Sequence, residues 1–528
     1  MEQYIIVYSR YVIAVLMAVY TVLALVRAFR KGLDERRLDN GASALIFLIQ
    51  FVAFLTICVE TGDVDYLFFY AFSQLVLFAF MMLFLMIYPK MYRPLVNHMC
   101  ILLGTGFFVL ARLDFEKAAK QLVIAAISIG LSMLIPYVIT RMGGLLKRLT
   151  FLYAAIGLAA LLIVLILGQI THGSRLSFSI AGLSFQPSEF VKLLFVFFLA
   201  ALLGKEASFK RVAISAAVAG AHVLILVFSR DLGSALIFYV AYVFLVFYAT
   251  GQFRYLLFGG AGGVAAAMVA YRLFSHVQVR VQAWRDPWSV IDSQGYQITQ
   301  SLFALSRGGW FGLGLGQGTP KDIPYVDTDF IFAAVTEEMG LLFAVCLILI
   351  CVATYLSFVK IASIQEEPFY KLLSSGLGVM YIFQIFLTIG GGIKFIPLTG
   401  VTLPLVSYGG SSVMATLFLF GIQQGICIRS RRRRNAVYSG YEDEDWDDWD
   451  EEERDDEAWE EGDWDDGAWE ETGWEDGRED WIESEGEDEE EYRRYEDEED
   501  EDAFTRGYEN SPDKEILWEE EDDRWAGT

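Results

Sequence analysis

Cysteine and histidine are scarce in this chain, which has five cysteines and four histidines in 528 residues. No two cysteines form a CxxC pair, each lies in or at the end of an apolar segment, and the histidines are scattered. These facts argue against a disulfide framework and a metal site, and they predict that the cysteines are packing residues. No A-x-A sequence follows the first apolar run, which is too long for a cleavable signal peptide.

Charged residues are sparse through most of the first 440 positions. The chain is 55% hydrophobic, and its apolar residues fall in runs of about twenty, the length that crosses about 30 Å of hydrocarbon. The sequence therefore predicts an all-α polytopic membrane protein with about thirteen spans. The predicted spans are 5–26, 43–60, 66–88, 96–112, 121–140, 149–168, 189–204, 212–228, 232–250, 255–274, 329–357, 372–390 and 412–428.

Lysine and arginine follow alternate predicted spans, from Arg27 after the first span to the run RSRRRR (429–434) after the last. All of these loops fall on one face, and the bias of Lys and Arg toward cytoplasmic loops assigns that face to the cytoplasm. The N-terminus is therefore predicted outside, the C-terminal tail inside, and the loop 276–328 outside.

The C-terminal end of the chain is strongly acidic. Residues 441–528 hold 46 acidic and 7 basic residues, whereas the preceding residues hold 21 acidic and 34 basic ones. High charge predicts disorder over 436–528. Four tryptophans recur there every five residues, a spacing that matches neither helix nor strand. Two interpretations remain open: a cytoplasmic segment that docks on a basic partner through its tryptophans, or a solvated acidic tail.

The loop 276–328 separates two predicted spans. A loop of this length is usually functional or disordered, and its content of Trp, Tyr and Phe argues against disorder. Its glycine-rich run GGWFGLGLGQG (308–318) lacks the strand and βαβ unit of a nucleotide-binding loop. The run therefore predicts a tight turn or close helix packing.

Two further segments place charge at membrane depth. In PSEFVK (187–192), Ser188 and Glu189 suit the first turn of a helix, whereas Lys192 lies inside a span. An intramembrane ion pair is costly and usually functional. Residues 390–412 combine two prolines, six glycines and Lys394, and irregular backbone at this depth must line a cavity or be buried in protein. Lys394 is suited to hold a phosphate as a point charge.

Four motifs resemble those of a known family. FQPSEFVKL, QGYQITQS, DFIFAAVTEEMG and PLTGVTLPLVSYGGSS resemble the SEDS family, the polytopic proteins of bacterial shape, elongation, division and sporulation that include RodA, FtsW and SpoVE. The resemblance covers about 96–430 and implies a SEDS-type ten-helix core over 96–435. Residues 1–95 are then about three extra N-terminal transmembrane helices, a structural bundle or a partner surface, and 436–528 is the cytoplasmic tail.

The resemblance implies a peptidoglycan glycosyltransferase of the bacterial plasma membrane. Family members polymerise lipid II, an undecaprenyl-pyrophosphate-linked substrate, together with a class B penicillin-binding protein transpeptidase, so the implied partners are these and membrane lipid, not nucleic acid. A carboxylate takes the proton of the attacking hydroxyl during inverting transfer. Side-chain cations or a divalent metal, Mg or Mn, balance the charge of the leaving pyrophosphate. A lipid II flippase and a non-catalytic scaffold for the transpeptidase are the alternatives.

The general base is expected in the outer loop. The family's essential aspartate lies six residues before the Tyr of its G-Y motif, and Val290 stands at that position here. Asp292 and Asp286 are therefore the catalytic candidates, and Asp292 is preferred because Asp286 matches a D-P-W element that resembles a structural part of the family loop. Other charged residues are expected to line the lipid-substrate cavity: Arg175, Glu189, Lys192, Asp231, Arg280, Asp329, Glu337, Glu338 and Lys394.

Two family motifs are altered in this chain. The family's Q-P-D-x-G-[TS] reads SRDLGS at 229–234, which keeps Asp231, and the family's R-W reads Arg175-Leu176. Asp231 and its neighbour Arg230 are equally consistent with a surface ion pair.

Two further expectations concern charged residues of the core. Arg280 and Lys394 are the expected pyrophosphate contacts, because they are cationic and lie at the outer face. At least one of Glu337 and Glu338 is expected to pair with a cation or with substrate, because an unpaired carboxylate inside a span is costly.

Overall fold

The computed structural model of the chain describes residues 2–30, 36–171, 174–180, 183–205 and 207–439. Within these residues the fold is almost entirely helical. The helices are α1 Glu2–Phe29, α2 Arg36–Thr61, α3 Asp65–Ile87, α4 Arg93–Leu113, α5 Phe115–Ser132, α6 Ile135–Arg141, α7 Gly143–Arg148, α8 Thr150–Leu167, α9 Ser188–Leu203, α10 Phe209–Phe228, α11 Leu232–Thr250, α12 Phe253–Leu273, α13 Ser275–Arg285, α14 Tyr296–Gly308, α15 Ile331–Ser363, α16 Pro368–Gly392 and α17 Gly410–Ser439. The tail beyond Ser439 lies outside the described residues, so its disorder stays a prediction.

Twelve helical segments among the described residues are long and apolar enough to cross a membrane. The remaining predicted span, 189–204, is α9, which has 16 residues and is buried along nearly its whole length. Each predicted span therefore coincides with a helix, and the all-α polytopic fold is confirmed. The span predicted at 121–140 is divided into α5 and α6, and Pro136 lies in the first turn of α6, where a missing N–H is tolerated.

A small antiparallel sheet, which the hydrophobic pattern did not predict, connects α8 to α9. Its strands are β1 Gln169–Thr171, β2 Ser174–Ile180 and β3 Leu183–Phe185, in the order β1-β2-β3. Its three strands are short, of three, seven and three residues, and the sheet leads directly into the Pro187 turn that begins α9.

Helix α4 is buried on nearly every side. It packs against α2, α5 and α15, and every residue from Pro94 to Ala111 is buried. Small residues allow this close packing. A Cβ on Gly106 would lie 2.7 Å from the Leu405 carbonyl oxygen, so glycine is required where the irregular segment 393–409 crosses this helix.

The three N-terminal helices are joined to the core by packing and by buried polar contacts. Helix α1 packs against α2 and α15, and α2 packs against α4. Arg27 Nε lies 3.2 Å from Asp39 Oδ1, with side chains 3% and 4% exposed. Asn97 of α4 donates to the Asp39 carbonyl at 2.9 Å, and the Tyr20 hydroxyl lies 3.1 Å from His98 Nδ1.

Replacing Asp39 with Asn is expected to destabilise the protein by roughly 3 kcal/mol, because it removes the negative charge beside a buried arginine. The measurement is the midpoint of thermal unfolding of the purified protein, followed by tryptophan fluorescence. Asp63→Asn is the matched control, since Asp63 is exposed in the turn between α2 and α3. Equal unfolding midpoints for the two variants would show that the buried Arg27–Asp39 pair contributes nothing measurable to stability.

Basic residues from separate loops meet on one side of the helices. Arg431 donates to the Lys90 and Met91 carbonyls, each at 3.1 Å, and Lys360 donates to the Arg30 carbonyl at 2.6 Å. Ser430 also donates to the Ile364 carbonyl at 3.2 Å, so the loops that follow the first, third, eleventh and thirteenth spans lie on a common side, as the alternation of charge predicts.

Candidate functional site

The loop 276–328, predicted to lie outside, is folded. It contains α13, a 3-10 turn at Trp288–Val290, α14, the glycine-rich run and a second 3-10 turn at Pro320–Asp322. Helix α14 packs against α15. Trp284 of α13 donates through Nε1 to the Lys394 carbonyl at 3.1 Å, so the loop is tied to the segment 393–409.

Glu189 and Lys192 form an ion pair at the start of α9. Lys192 Nζ lies 2.8 Å from Glu189 Oε2, and their side chains are 8% and 7% exposed for Lys192 and Glu189 respectively. Lys192 also donates to Gln384 Oε1 of α16 at 2.8 Å, and Gln384 Nε2 donates to the Thr402 carbonyl at 3.0 Å. One lysine thus connects α9, α16 and the irregular segment 393–409.

Asp231 lies beside this pair and caps α11. Its Oδ1 accepts from the Ser234 backbone N–H at 3.0 Å, and its Oδ2 accepts from the Ser188 hydroxyl at 3.3 Å. The pKa of Asp231 is raised above its usual value. Burial is the main cause and the nearby Glu189 adds to it, while hydrogen bonds from Ser234 oppose the change. Of the two interpretations left open for Asp231, the surface ion pair does not hold, because the carboxylate is buried against α9.

Arg280 of α13 contacts the turn at 398–400. Its Nη1 donates to the Leu398 and Thr399 carbonyls at 3.3 and 3.0 Å. Burial lowers the pKa of Arg280, whereas Asp329 and Asp231 raise it. Burial also raises the pKa of Asp329 to about 6, against the opposing effect of Arg280.

These residues form one charged cluster at the N-terminal ends of α9, α11 and α15 and in the C-terminal part of α16. It comprises Glu189, Lys192, Asp231, Arg280, Asp329 and the amide of Gln384. Two cations and three carboxylates at this depth are suited to bind a charged headgroup and to handle a proton. Five of the residues predicted to line the cavity are brought together here.

Lys394 lies in the segment 393–409, whose turn at 398–400 accepts hydrogen bonds from Arg280. It has a left-handed backbone conformation, with φ of 60°, and its side chain is half-buried. The segment around it is held by Thr388, which donates to the Val401 carbonyl at 2.9 Å. Irregular backbone at this depth is therefore packed in protein, as predicted.

Glu337 and Glu338 lie elsewhere, against the glycine-rich run. Glu338 pairs with Arg112 at 3.3 Å and Glu337 with Arg307 at 3.4 Å, and Glu337 also accepts from the Thr319 N–H at 3.3 Å. The predicted pairing with cations is confirmed. Both carboxylates lie outside the charged cluster, each paired with an arginine, and their place in the lipid-substrate cavity stays a prediction.

The glycine-rich run packs directly on the backbone of α15. Leu313 N–H donates to the Glu337 carbonyl and Gly314 N–H to the Glu338 carbonyl, both at 2.9 Å. Helix α15 is interrupted at Gly340, where φ is 85° and ψ is 171°. The predicted close helix packing is confirmed, and glycine is required because a Cβ at Gly340 would overlap the Gly312 backbone.

Gly340→Ala is expected to cost more than about 3 kcal/mol, because strained backbone and overlap act together. Gly62→Ala is the control. Gly62 has φ of +69° and open space around its missing side chain, so only the conformational cost of about 1–2 kcal/mol applies. Thermal unfolding midpoints compare the two, and a smaller loss at Gly340 would contradict the packing argument.

The two predicted catalytic aspartates occupy different environments. Asp286 ends α13, and its Oδ1 accepts from the Ser289 N–H at 3.3 Å. Asp292 is exposed in the turn that precedes α14. The backbone of Arg175 lies in β2, but its side chain falls outside what the structure describes.

Gln384 is the member of the charged cluster that sequence reasoning missed. Its signal is a lone amide within an apolar span, IFQIF, where an unpaired polar group is costly. Nothing in the sequence indicates its partner, Lys192, which lies 192 positions away.

The described residues contain no group of three or more His, Cys, Asp or Glu side chains arranged to hold a metal ion. In the charged cluster, Glu189 already binds Lys192 and Asp231 caps a helix. These residues do not fit the divalent cation that the family resemblance allows. Side-chain cations are therefore the groups available to balance the charge of a pyrophosphate.

Fold and site together define a multi-pass helical membrane protein with a charged cluster joined to the folded loop 276–328. This chain belongs to the FtsW, RodA and SpoVE family, described as cell cycle proteins, whose sequence pattern matches residues 95–432. The resemblance to the SEDS family is confirmed, and the matched region begins within α4, after the three N-terminal helices.

Two named relatives and one solved structure are similar to this chain and support the same family. The chain is 37% identical over 284 residues to peptidoglycan glycosyltransferase RodA of Mycobacterium tuberculosis (strain ATCC 25618 / H37Rv), covering 49% of this chain and 59% of that protein. It is 32% identical over 364 residues to RodA of Mycobacterium leprae (strain TN), covering 63% and 76%. A solved structure of a peptidoglycan synthase complex that coordinates polymerization and crosslinking matches with TM-score 0.55 and 27% identity, over 64% of this chain and 97% of that one.

Proposed function

We propose that this protein is a peptidoglycan glycosyltransferase that polymerises lipid II into glycan strands at the outer face of the bacterial plasma membrane. The observation that carries the proposal is the charged cluster, which places two cations and three carboxylates between membrane helices and beside the outer loop. Transfer from a lipid pyrophosphate needs cations for the leaving group and a carboxylate for the proton. The names of the mycobacterial relatives support the same activity.

The pyrophosphate contacts in this proposal are Arg280, Lys192 and Lys394. Arg280 has five N–H donors, and its anchoring on two backbone carbonyls fixes the guanidinium before substrate arrives. Lys192 is held in place by Glu189 and Gln384. Preorganised cations of this kind stabilise charge as it develops on the leaving group.

The general base in this proposal is Asp292. Asp286 already caps a turn through its carboxylate, and Asp329 balances the charge of Arg280. Asp292 is exposed on the outer loop, where an acceptor glycan can reach it. A carboxylate at this point is suited to take the acceptor hydroxyl proton as the glycosidic bond forms.

Lipid II binding is expected to weaken as pH rises through about 6. Asp329 is neutral below its pKa of about 6 and anionic above it, and the anion repels the negative pyrophosphate. Affinity is therefore higher at pH 5 than at pH 7, by roughly three- to tenfold. Equilibrium binding of lipid II between pH 5 and 8 measures this, and Asp329→Asn is expected to remove the dependence. Asp322→Asn, an exposed loop variant, should keep it; a dependence unchanged in Asp329→Asn would contradict the assignment.

The orientation proposed is an outer N-terminus and a cytoplasmic C-terminal tail. The side where basic loops meet is supported as cytoplasmic by the bias of Lys and Arg. The charged cluster, at the opposite ends of the helices, then faces outward, where lipid II is available.

The proposed protein partner is a class B penicillin-binding protein transpeptidase. The solved relative is a synthase complex that couples polymerization to crosslinking, and this chain covers nearly all of that chain. For the tail, we propose a cytoplasmic docking role through its nine tryptophans. Deleting 436–528 and recovering an unchanged set of interaction partners would contradict the docking role.

The deciding experiment is glycan polymerisation from purified lipid II by the full chain with a transpeptidase partner. Long glycan strands on a gel are the expected result. A protein that binds lipid II but stays inert with several partners would instead support the flippase or scaffold alternative.

A further inference from the structure

A second charged site lies at the basic side of the protein, where α16 begins and α17 ends its apolar part. A cavity of about 210 Å³ opens there. Its lining residues are Gln365, Glu366, Glu367, Tyr370, Arg429, Ser430, Arg433 and Arg434. Glu367 precedes α16, and Gln384 of the charged cluster lies 17 residues further along, which is about 25 Å of helix. The cavity is therefore separate from the site described above.

The cavity carries excess positive charge. Glu367 pairs with Arg429 and Lys147, each at 2.9 Å, and with Arg433 at 3.1 Å. Burial raises the pKa of Glu367, but Arg429 and Lys147 together lower it by more. The pKa therefore lies below its usual value, and the carboxylate is ionised at neutral pH. Glu367 thus pairs with three cations, and the lining adds Arg434 and the carboxylate of Glu366, so four cations face two carboxylates.

The arginines are positioned for an oxyanion. The Arg429 guanidinium lies 4.8 Å from the centre of the Tyr370 ring, which holds it at the cavity wall. Arg433 is 57% exposed on its side chain and bonds Glu367 through Nη1. A guanidinium has five N–H donors in a planar fork that matches phosphate oxygens, so donors of Arg433 remain for a ligand.

The cavity lies at the level of lipid headgroups. Helix α17 is apolar up to Ile428, and the run RSRRRR follows at once. Basic residues at such a boundary attract anionic lipids, and a pocket between helices can hold a headgroup. We infer that this cavity binds a phosphate group, supplied by the headgroup of an anionic phospholipid or by soluble phosphate.

The test uses the purified full chain and three proteins: wild type, Arg433→Gln and Arg432→Gln. Arg432 is exposed and adjacent but does not line the cavity, so both variants lose one charge. Native mass spectrometry measures retained phosphatidylglycerol after exchange into mixed vesicles of phosphatidylglycerol and phosphatidylcholine. Arg433→Gln is expected to lower retention at least about fivefold, and Arg432→Gln less than about twofold. Unchanged thermal midpoints show that both variants fold.

A second arm identifies the source of the phosphate. Thermal midpoints are compared in about 10 mM inorganic phosphate and in chloride of equal ionic strength, so that screening is the same in both. A phosphate stabilisation lost in Arg433→Gln, without selective lipid retention, supports the site with soluble phosphate as its ligand. Equal loss of lipid in both variants, or no dependence on Arg433 in either arm, overturns the inference, because general attraction of a basic surface then accounts for binding.

Discussion

Asp292→Asn is expected to abolish glycan polymerisation, lowering the rate by roughly 100- to 10,000-fold, the range in which general bases contribute. The amide keeps the size of the side chain but cannot accept the acceptor hydroxyl proton. Because Asp292 is exposed in a turn, the substitution is expected to leave folding and lipid II binding unchanged. The measurement is the initial rate of glycan formation from lipid II with a transpeptidase partner present.

Two aspartate variants serve as controls for this result. Asp286→Asn is expected to retain most activity, since an amide oxygen can still accept from the Ser289 N–H. Asp329→Asn is expected to change the pH dependence of lipid binding more than the rate. If Asp286→Asn or Asp329→Asn is inert while Asp292→Asn polymerises normally, the base has been assigned to the wrong carboxylate.

Neutralising both Glu189 and Lys192 is expected to separate their effects on stability and on catalysis. Lys192→Gln alone leaves Glu189 buried without its cation, which costs about 3–5 kcal/mol. The double variant Glu189→Gln/Lys192→Gln buries no charge, so most of that stability should return. Polymerisation should remain at least about 100-fold below wild type in the double variant, because the cation that balances pyrophosphate charge is gone.

An exposed pair provides the matched control. Glu116 and Lys120 lie one turn apart on α5 at 3.8 Å, with side chains 86% and 58% exposed. Neutralising both is expected to change neither unfolding midpoint nor polymerisation, since exposed pairs contribute little. A Glu189/Lys192 double variant that polymerises like wild type would show that the buried pair is only structural.

Several parts of the site are predictable because their signals are local. Lys192, one turn after Glu189 within an apolar run, indicates an ion pair, and the two side chains are 2.8 Å apart. The glycines of 308–318 indicate close packing, and this run contacts the backbone of α15. Each signal depends on residues within a few positions of one another.

The sequence left open the partners that are distant in the chain. Glu338 was expected to pair with a cation or with substrate, and its partner is Arg112, which is 226 positions earlier. Asp231 was compatible with a surface pair with its neighbour, but it is covered by Ser188 of another helix. Periodicity and spacing carry no information on such contacts.

The sequence by itself determined the positions of the membrane-spanning helices, the family, and the common side of the basic loops. These follow from the hydrophobic length of each segment and from the charge of each loop, which act one segment at a time. Only the tertiary structure decided which buried charges meet. A charge at membrane depth must find a partner. Whether Lys192 meets Gln384, or Glu337 meets Arg307, depends on how the helices pack against one another.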